Sequence, residues 1–189
     1  IAETVMREND SVAVYFVHQI TIYTVIFFLP GIIGTYAALS PFQIGLLTAL
    51  PWIAAAIGAA TFPRLATSPR RCRTLLFCGL LTMATGLLLA SLANTFIGLI
   101  GFSLTALMLF VVQSILFVFP SSRLSGNALA AGLAFVTTCG LLGGFVGPSV
   151  MGLIEQATGS TRNGLWIIAA LLVLAAVLST RLRQGQEQA

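Results

Sequence analysis

Residues 12–33 read VAVYFVHQITIYTVIFFLPGII, a run without a single Asp, Glu, Lys or Arg. About 20 apolar residues at 1.5 Å of rise each cross the roughly 30 Å hydrocarbon core of a bilayer as an α-helix. This run is therefore predicted to span a membrane. Five more runs of the same character follow at 44–62, 75–93, 96–119, 128–154 and 165–182, separated by short stretches rich in turn residues. Backbone in lipid must satisfy its own hydrogen bonds, and membrane strands would be shorter and would alternate in polarity, so each run reads as a helix. Only Asn94 and Thr95 separate the third run from the fourth, which predicts an antiparallel hairpin.

The whole composition agrees. The 189 residues are 58% hydrophobic and 7% charged, with a mean hydropathy of +1.01, against about 25% charged in soluble domains. Six crossings with their loops occupy residues 12–182, leaving 1–11 as a cytoplasmic segment and 183–189 as a cytoplasmic tail. No room remains for a soluble catalytic domain. Ile1 in place of Met, followed by the polar opening IAETVMREND, predicts a piece of a longer chain.

Orientation follows from the arginines. With a cytoplasmic N-terminus, Arg7, Arg64, Arg70, Arg71, Arg73, Arg123, Arg181 and Arg183 lie inside and Arg162 alone lies outside. That asymmetry is a positive-inside signal, and it requires an even number of crossings, with both termini cytoplasmic. The formal charge of +4 does not point to nucleic acid, because the charges sit at the ends of apolar runs rather than along one face. The three cysteines form no disulfide framework: Cys72 reads as part of a basic loop, while Cys78 and Cys139 lie inside apolar runs. No Cys or His pair has ligand spacing, so neither a metal nor a cofactor is expected. An enzyme is disfavoured too, since the spans hold no nucleophile and base at recognisable spacing.

Polar residues inside the spans are the informative ones. Tyr15, Gln19 and Tyr23 recur every four residues and share one helix face within about 80° of arc. That stripe suits either a polar substrate or interhelical hydrogen bonding. His18 lies about 9 Å into the same helix, as a proton relay or as a neutral imidazole tied to a neighbour. In the fourth run Gln113 and Ser114 need partners, from substrate or from another helix. In the fifth, Gly140 with Gly144 and Gly143 with Gly147 form overlapping small-xxx-small pairs for close helix packing. Thr137 can bond within its own helix, so alone it is ambiguous. No Arg, Asp or Glu lies well inside a span.

Several stretches resemble one family: YFVHQITIYTVIFFLP at 15–30, GLLTALPW at 45–52, FPSSRLSGNALAAG at 119–132, GGFVGP at 143–148 and GLIEQATGS at 152–160. They are similar to helices seven to twelve of the major facilitator superfamily, and within it to the sugar-acid permeases of the anion:cation symporter family. The resemblance implies one half of a twelve-helix fold, with the site between the two halves near the midplane. It implies a bacterial inner-membrane protein whose partners are the lipid bilayer, a small organic anion, protons and an N-terminal six-helix half. That half would carry the coupling carboxylate and the substrate-binding arginine. The family's substrate-facing positions carry over onto Tyr15, Gln19, Tyr23, Gln113, Ser114, Phe117 and Thr137. Thr137 stands where relatives often have Asn, Phe117 where many have Trp, and Thr67 where the superfamily's cytoplasmic loop has Asp. A second reading is a non-transporting membrane subunit or remnant that binds a partner through its glycine-rich helix.

Overall fold

The computed structural model describes residues 2–36, 40–92, 94–122 and 124–182, with side chains from Asp10 onward except those of residues 35, 36 and 95. Its elements are α1 (Ala2–Tyr36), α2 (Pro41–Thr61), a 3-10 turn (Phe62–Leu65), α3 (Pro69–Ala90), α4 (Thr95–Ser121), α5 (Gly126–Thr158) and α6 (Arg162–Ser179). All six expected helices are present, each long and apolar enough to cross a membrane. The side chains of Arg7, Arg123 and Arg183 lie outside the described residues, as does the tail at 183–189.

Helix ends follow local chemistry. Ser40 and Gln43 form a reciprocal capping box at the start of α2, with Ser40 N donating to Gln43 Oε1 at 2.9 Å and Gln43 N to Ser40 Oγ at 3.3 Å. Asn94 Oδ1 accepts from the amides of Phe96 and Ile97 and so opens α4. Gly159, with φ of 67°, closes α5 in the left-handed region that favours glycine.

Two boundaries differ from the sequence reading. The helix after the basic stretch begins at Pro69, not near residue 75, so Cys72 belongs to the first turns of α3 rather than to a loop. Ser68 as N-cap and Pro69 at the first helical position outweigh the polarity of the arginines that follow. Cys72 is buried, with Sγ 3.6 Å from the Ala66 carbonyl oxygen. Likewise α5 continues through Thr158, so Glu155 sits in its last turn rather than in a loop. Residues 2–11 form the opening turns of α1.

α1 packs mainly along α5, α4 is flanked by α2 and α3, and α6 lies on α3. Leu76, Leu80, Met83 and Leu87 of α3 fill the interior with Leu109 and Val112 of α4 and Leu172 of α6. Between lipid-soluble helices such packing, rather than expulsion of water, supplies the attraction. Thr105 adds a polar tie, its Oγ1 donating to the carbonyls of Met83 on α3 at 3.2 Å or of Gly101 at 3.1 Å. The spans in α2 and α5 are only 17% and 22% buried, against 56% in α4. Their apolar faces, carrying Phe42, Leu46 and Ile53 on α2 and Phe135, Leu142 and Phe145 on α5, are exposed on the described chain.

Candidate functional site

The seam between α1 and α5 positions the polar stripe. A Cβ at Gly140 would overlap the Tyr15 ring, and one at Gly143 would overlap the Phe16 carbonyl oxygen. At Gly144 it would stand 2.6 Å from the Tyr23 ring, and at Gly147 2.8 Å from the Ile20 carbonyl oxygen. All four glycines therefore lie against α1, and the absence of side chains is what lets the two backbones come so close. The stripe residues Tyr15 and Tyr23 rest on Gly140 and Gly144.

Tyr15 is 2% exposed and stands where α1, α4 and α5 meet. Its ring centroid is 5.3 Å from that of Phe117, tilted by 54°, and 5.9 Å from the His18 imidazole, with 19° between the planes. Its hydroxyl is within hydrogen-bonding reach of the Gln113 side chain. Three of the candidate positions, Tyr15, Gln113 and Phe117, are thus one cluster across α1 and α4. Tyr23 lies two turns further along α1, half-buried, with its ring centroid 6.3 Å from that of Phe27.

His18 is wholly buried, and its Nε2 is 2.8 Å from the carbonyl oxygen of Leu109 on α4. A carbonyl can only accept, so Nε2 carries the proton and Nδ1 of the neutral ring is a bare acceptor. Gln19, 4% exposed, brings its amide to hydrogen-bonding reach of that ring. Yet His18 Nδ1 and Gln19 Oε1 both lack a partner, and so does Thr24 Oγ1. Nδ1 needs a donor, and the Gln19 amide turned over supplies one with its NH2, as a proton or an outside donor would for Gln19 Oε1.

The remaining candidates are spent locally. Ser114 Oγ donates to Phe110 O at 2.7 Å and Thr137 Oγ1 to Leu133 O at 2.7 Å, each within its own helix. Ser114 is exposed and Thr137 half-buried. Among the described residues no group of three His, Cys, Asp or Glu could hold a metal ion.

The sequence reading missed Thr24, whose unpartnered hydroxyl falls outside the four-residue repeat of the stripe. It also missed the link between Trp166 Nε1 and Ser91 Oγ, 2.8 Å across α6 and the end of α3. No local pattern announces a contact between residues so far apart in the chain.

The sequence profile of the Major Facilitator Superfamily matches residues 12–188. The inner membrane transport protein RhmT of Escherichia coli strain K12 is 31% identical over 174 residues, which cover 90% of this chain and 40% of that protein. A protein of Agrobacterium vitis named "Putative tartrate transporter" is 34% identical over 179 residues, covering 93% of this chain and 39% of its own length. The quinolone resistance transporter of Acinetobacter baumannii is 30% identical over 161 residues, covering 85% and 37% respectively. The chain thus spans about 40% of the length of the curated relatives it matches. With six membrane-spanning helices and a profile match over almost its whole length, the chain belongs to the Major Facilitator Superfamily.

Proposed function

We propose that this chain forms the C-terminal half of a secondary transporter that takes up a small hydroxylated organic anion, a sugar acid or a dicarboxylate, with protons, by alternating access. Both termini are then cytoplasmic, residues 1–11 end the linker from the first half, 12–182 form the bundle and 183–189 the tail. Tyr15, Gln19, Tyr23, Gln113, Ser114, Phe117 and Thr137 form this half's wall of the pathway. The name of the tartrate transporters among the relatives supports the anion class.

The observation that carries the reading is the buried polar cluster around Tyr15. Leaving an acceptor without a partner costs about 1–3 kcal/mol, and Gln19 Oε1 and His18 Nδ1 are two such acceptors on adjacent residues of α1. A donor from a sugar hydroxyl satisfies Gln19 Oε1. A proton on Nδ1 bonds to Gln19 Oε1 and satisfies both, the form a relay through His18 would take. The bond from Nε2 to Leu109 supports a plain tether as the other role. The test is uptake of labelled tartrate into proteoliposomes by the protein containing this chain, with and without a proton gradient. Gln19→Ala and Gln113→Ala variants that keep the wild-type affinity for every transported anion would overturn the pathway assignment.

The alternative is a non-transporting subunit or remnant that binds a partner through α5. Its glycine edge is occupied by α1, so that partner would have to meet the opposite face, where Phe135, Leu142 and Phe145 are exposed.

A further inference from the structure

At the end of the bundle away from the termini, α1 and the turn joining α5 to α6 border a cavity of about 520 Å³. Its wall includes Phe27 and Phe28 of α1, Glu155 at the end of α5, Ser160 and Thr161 of the turn, and Arg162 at the start of α6. The volume lies within the roughly 300–1,000 Å³ usual for small-molecule sites. Its charges differ from those of the rest of the bundle. Arg162 is the one arginine on this side of the six crossings. Glu155 shares the cavity with it, yet no ion pair joins the two among the described residues, and both side chains are exposed.

The turn is held by bonds that do not use these groups. Gly159 N donates to Glu155 O at 2.8 Å, Thr158 Oγ1 to Ile154 O at 2.7 Å or to Ser160 O at 3.1 Å, and Arg162 N to Ser160 Oγ at 3.3 Å. Thr161 makes no side-chain cap bond to α6, so its hydroxyl is not committed to the helix. The cavity is therefore lined by an unspent guanidinium, an unspent carboxylate and a hydroxyl not used as a cap, together with two aromatic rings.

We infer that this cavity is a second anion site, at the entrance of the pathway, that holds a small hydroxylated carboxylate. A guanidinium grips a carboxylate in a bidentate fork. Glu155 accepts from the hydroxyls of the same molecule, and Phe27 and Phe28 cover its carbon skeleton. This half has no arginine in the middle of its spans, so on this side Arg162 is where its own residues first meet the anion's charge. The inference rests on the proposed transport function for its place on a pathway, but the site itself can be measured without transport.

Trp166 lies one turn beyond Arg162 on α6, and its indole is fixed to Ser91. With Trp52→Phe it becomes the sole tryptophan of the chain. The chain in phosphatidylcholine nanodiscs is titrated with sodium tartrate, with threitol as the uncharged polyol of the same carbon count, and with sodium chloride at matched ionic strength. A saturable change in Trp166 emission is expected with tartrate alone. Arg162→Gln is expected to weaken it about tenfold or more, as loss of a charge-assisted bond implies, and Glu155→Gln to weaken it less. An unchanged spectrum of Arg162→Gln before titration shows that the variant folds. A tartrate response equal in Arg162→Gln and wild type overturns the site. If phosphatidylglycerol discs alone give the Arg162-dependent change and tartrate adds nothing, the cavity takes a lipid headgroup and the assignment to a free anion falls. Uptake separates the two claims. Binding that depends on Arg162 in a protein that transports no anion leaves the site and removes the transport reading; uptake with no Arg162 effect on binding or KM does the reverse.

Discussion

His18 of α1 reaches 2.8 Å across to the carbonyl oxygen of Leu109 on α4, joining two helices that are 91 residues apart in the chain. Replacing the ring with Leu removes the only donor in that bond. His18→Leu is expected to destabilise the folded chain by about 1 kcal/mol, within the range measured for hydrogen bonds between membrane helices. Thermal unfolding in detergent, followed by circular dichroism, gives the number. The same variant separates the two roles of His18 in the transporting protein: a tether leaves the shape of the pH profile of uptake unchanged, a relay removes its proton dependence.

The seam between α1 and α5 predicts a graded glycine series. Gly143→Ala drives a methyl into the Phe16 carbonyl, which is backbone and cannot swing aside, whereas at Gly144 it meets the Tyr23 ring. Overpacking of this kind costs about 1–3 kcal/mol. Gly143→Ala should therefore lower the melting temperature more than Gly144→Ala. Gly152→Ala, with nothing within 4 Å, should be neutral or slightly stabilising, as Ala is the better helix former. Equal melting temperatures for Gly143→Ala and Gly152→Ala would contradict the close approach.

Gln19 gives a split between stability and function. Its Oε1 is buried without a partner, so Gln19→Leu removes an unsatisfied acceptor at nearly constant volume. Stability is expected to hold or rise, by up to about 1 kcal/mol, while the affinity for the transported anion falls by about tenfold. A variant that loses stability and keeps its affinity would mark Gln19 as structural.

Thr67 tests the turn before α3. Arg71 Nη1 donates to Thr67 Oγ1 at 3.0 Å across one helical turn. Thr67→Asp turns that neutral acceptor into an ion pair at an exposed site, where the gain is less than about 1 kcal/mol. The melting temperature should rise slightly at low salt, and the rise should vanish near 1 M salt, where the screening length is about 3 Å.

Helix number and hairpin order were legible because lipid allows few backbone solutions: 22 residues such as 12–33 without a formal charge have little choice. The start of α3 was misread by treating Arg70, Arg71 and Arg73 as loop residues, although the Ser68–Pro69 start signal lay in plain view. Of the site, the repeat of Tyr15, Gln19 and Tyr23 was readable because helical period alone puts them on one face. Which of them would be left without partners was not readable. That depends on where α4 places Gln113 and the Leu109 carbonyl, a distance set by packing rather than by spacing. The cavity beside Arg162 was invisible for the same reason, since its two walls are more than 120 residues apart, at Phe27 and Glu155.

The glycine edge of α5 lies against the backbone of α1 with no side chain at Gly143 to cushion the contact. Compliance in a helix interface comes from rotamers that can yield, and at Gly143 the nearest atoms are backbone. Rotating α5 about its axis would bring Leu142 or Phe145 against α1 in place of a glycine. That face of α5 is therefore held towards α1, and the Tyr15 and Tyr23 rings, both carried by α1, keep their glycine floor only while the two helices tilt as a pair.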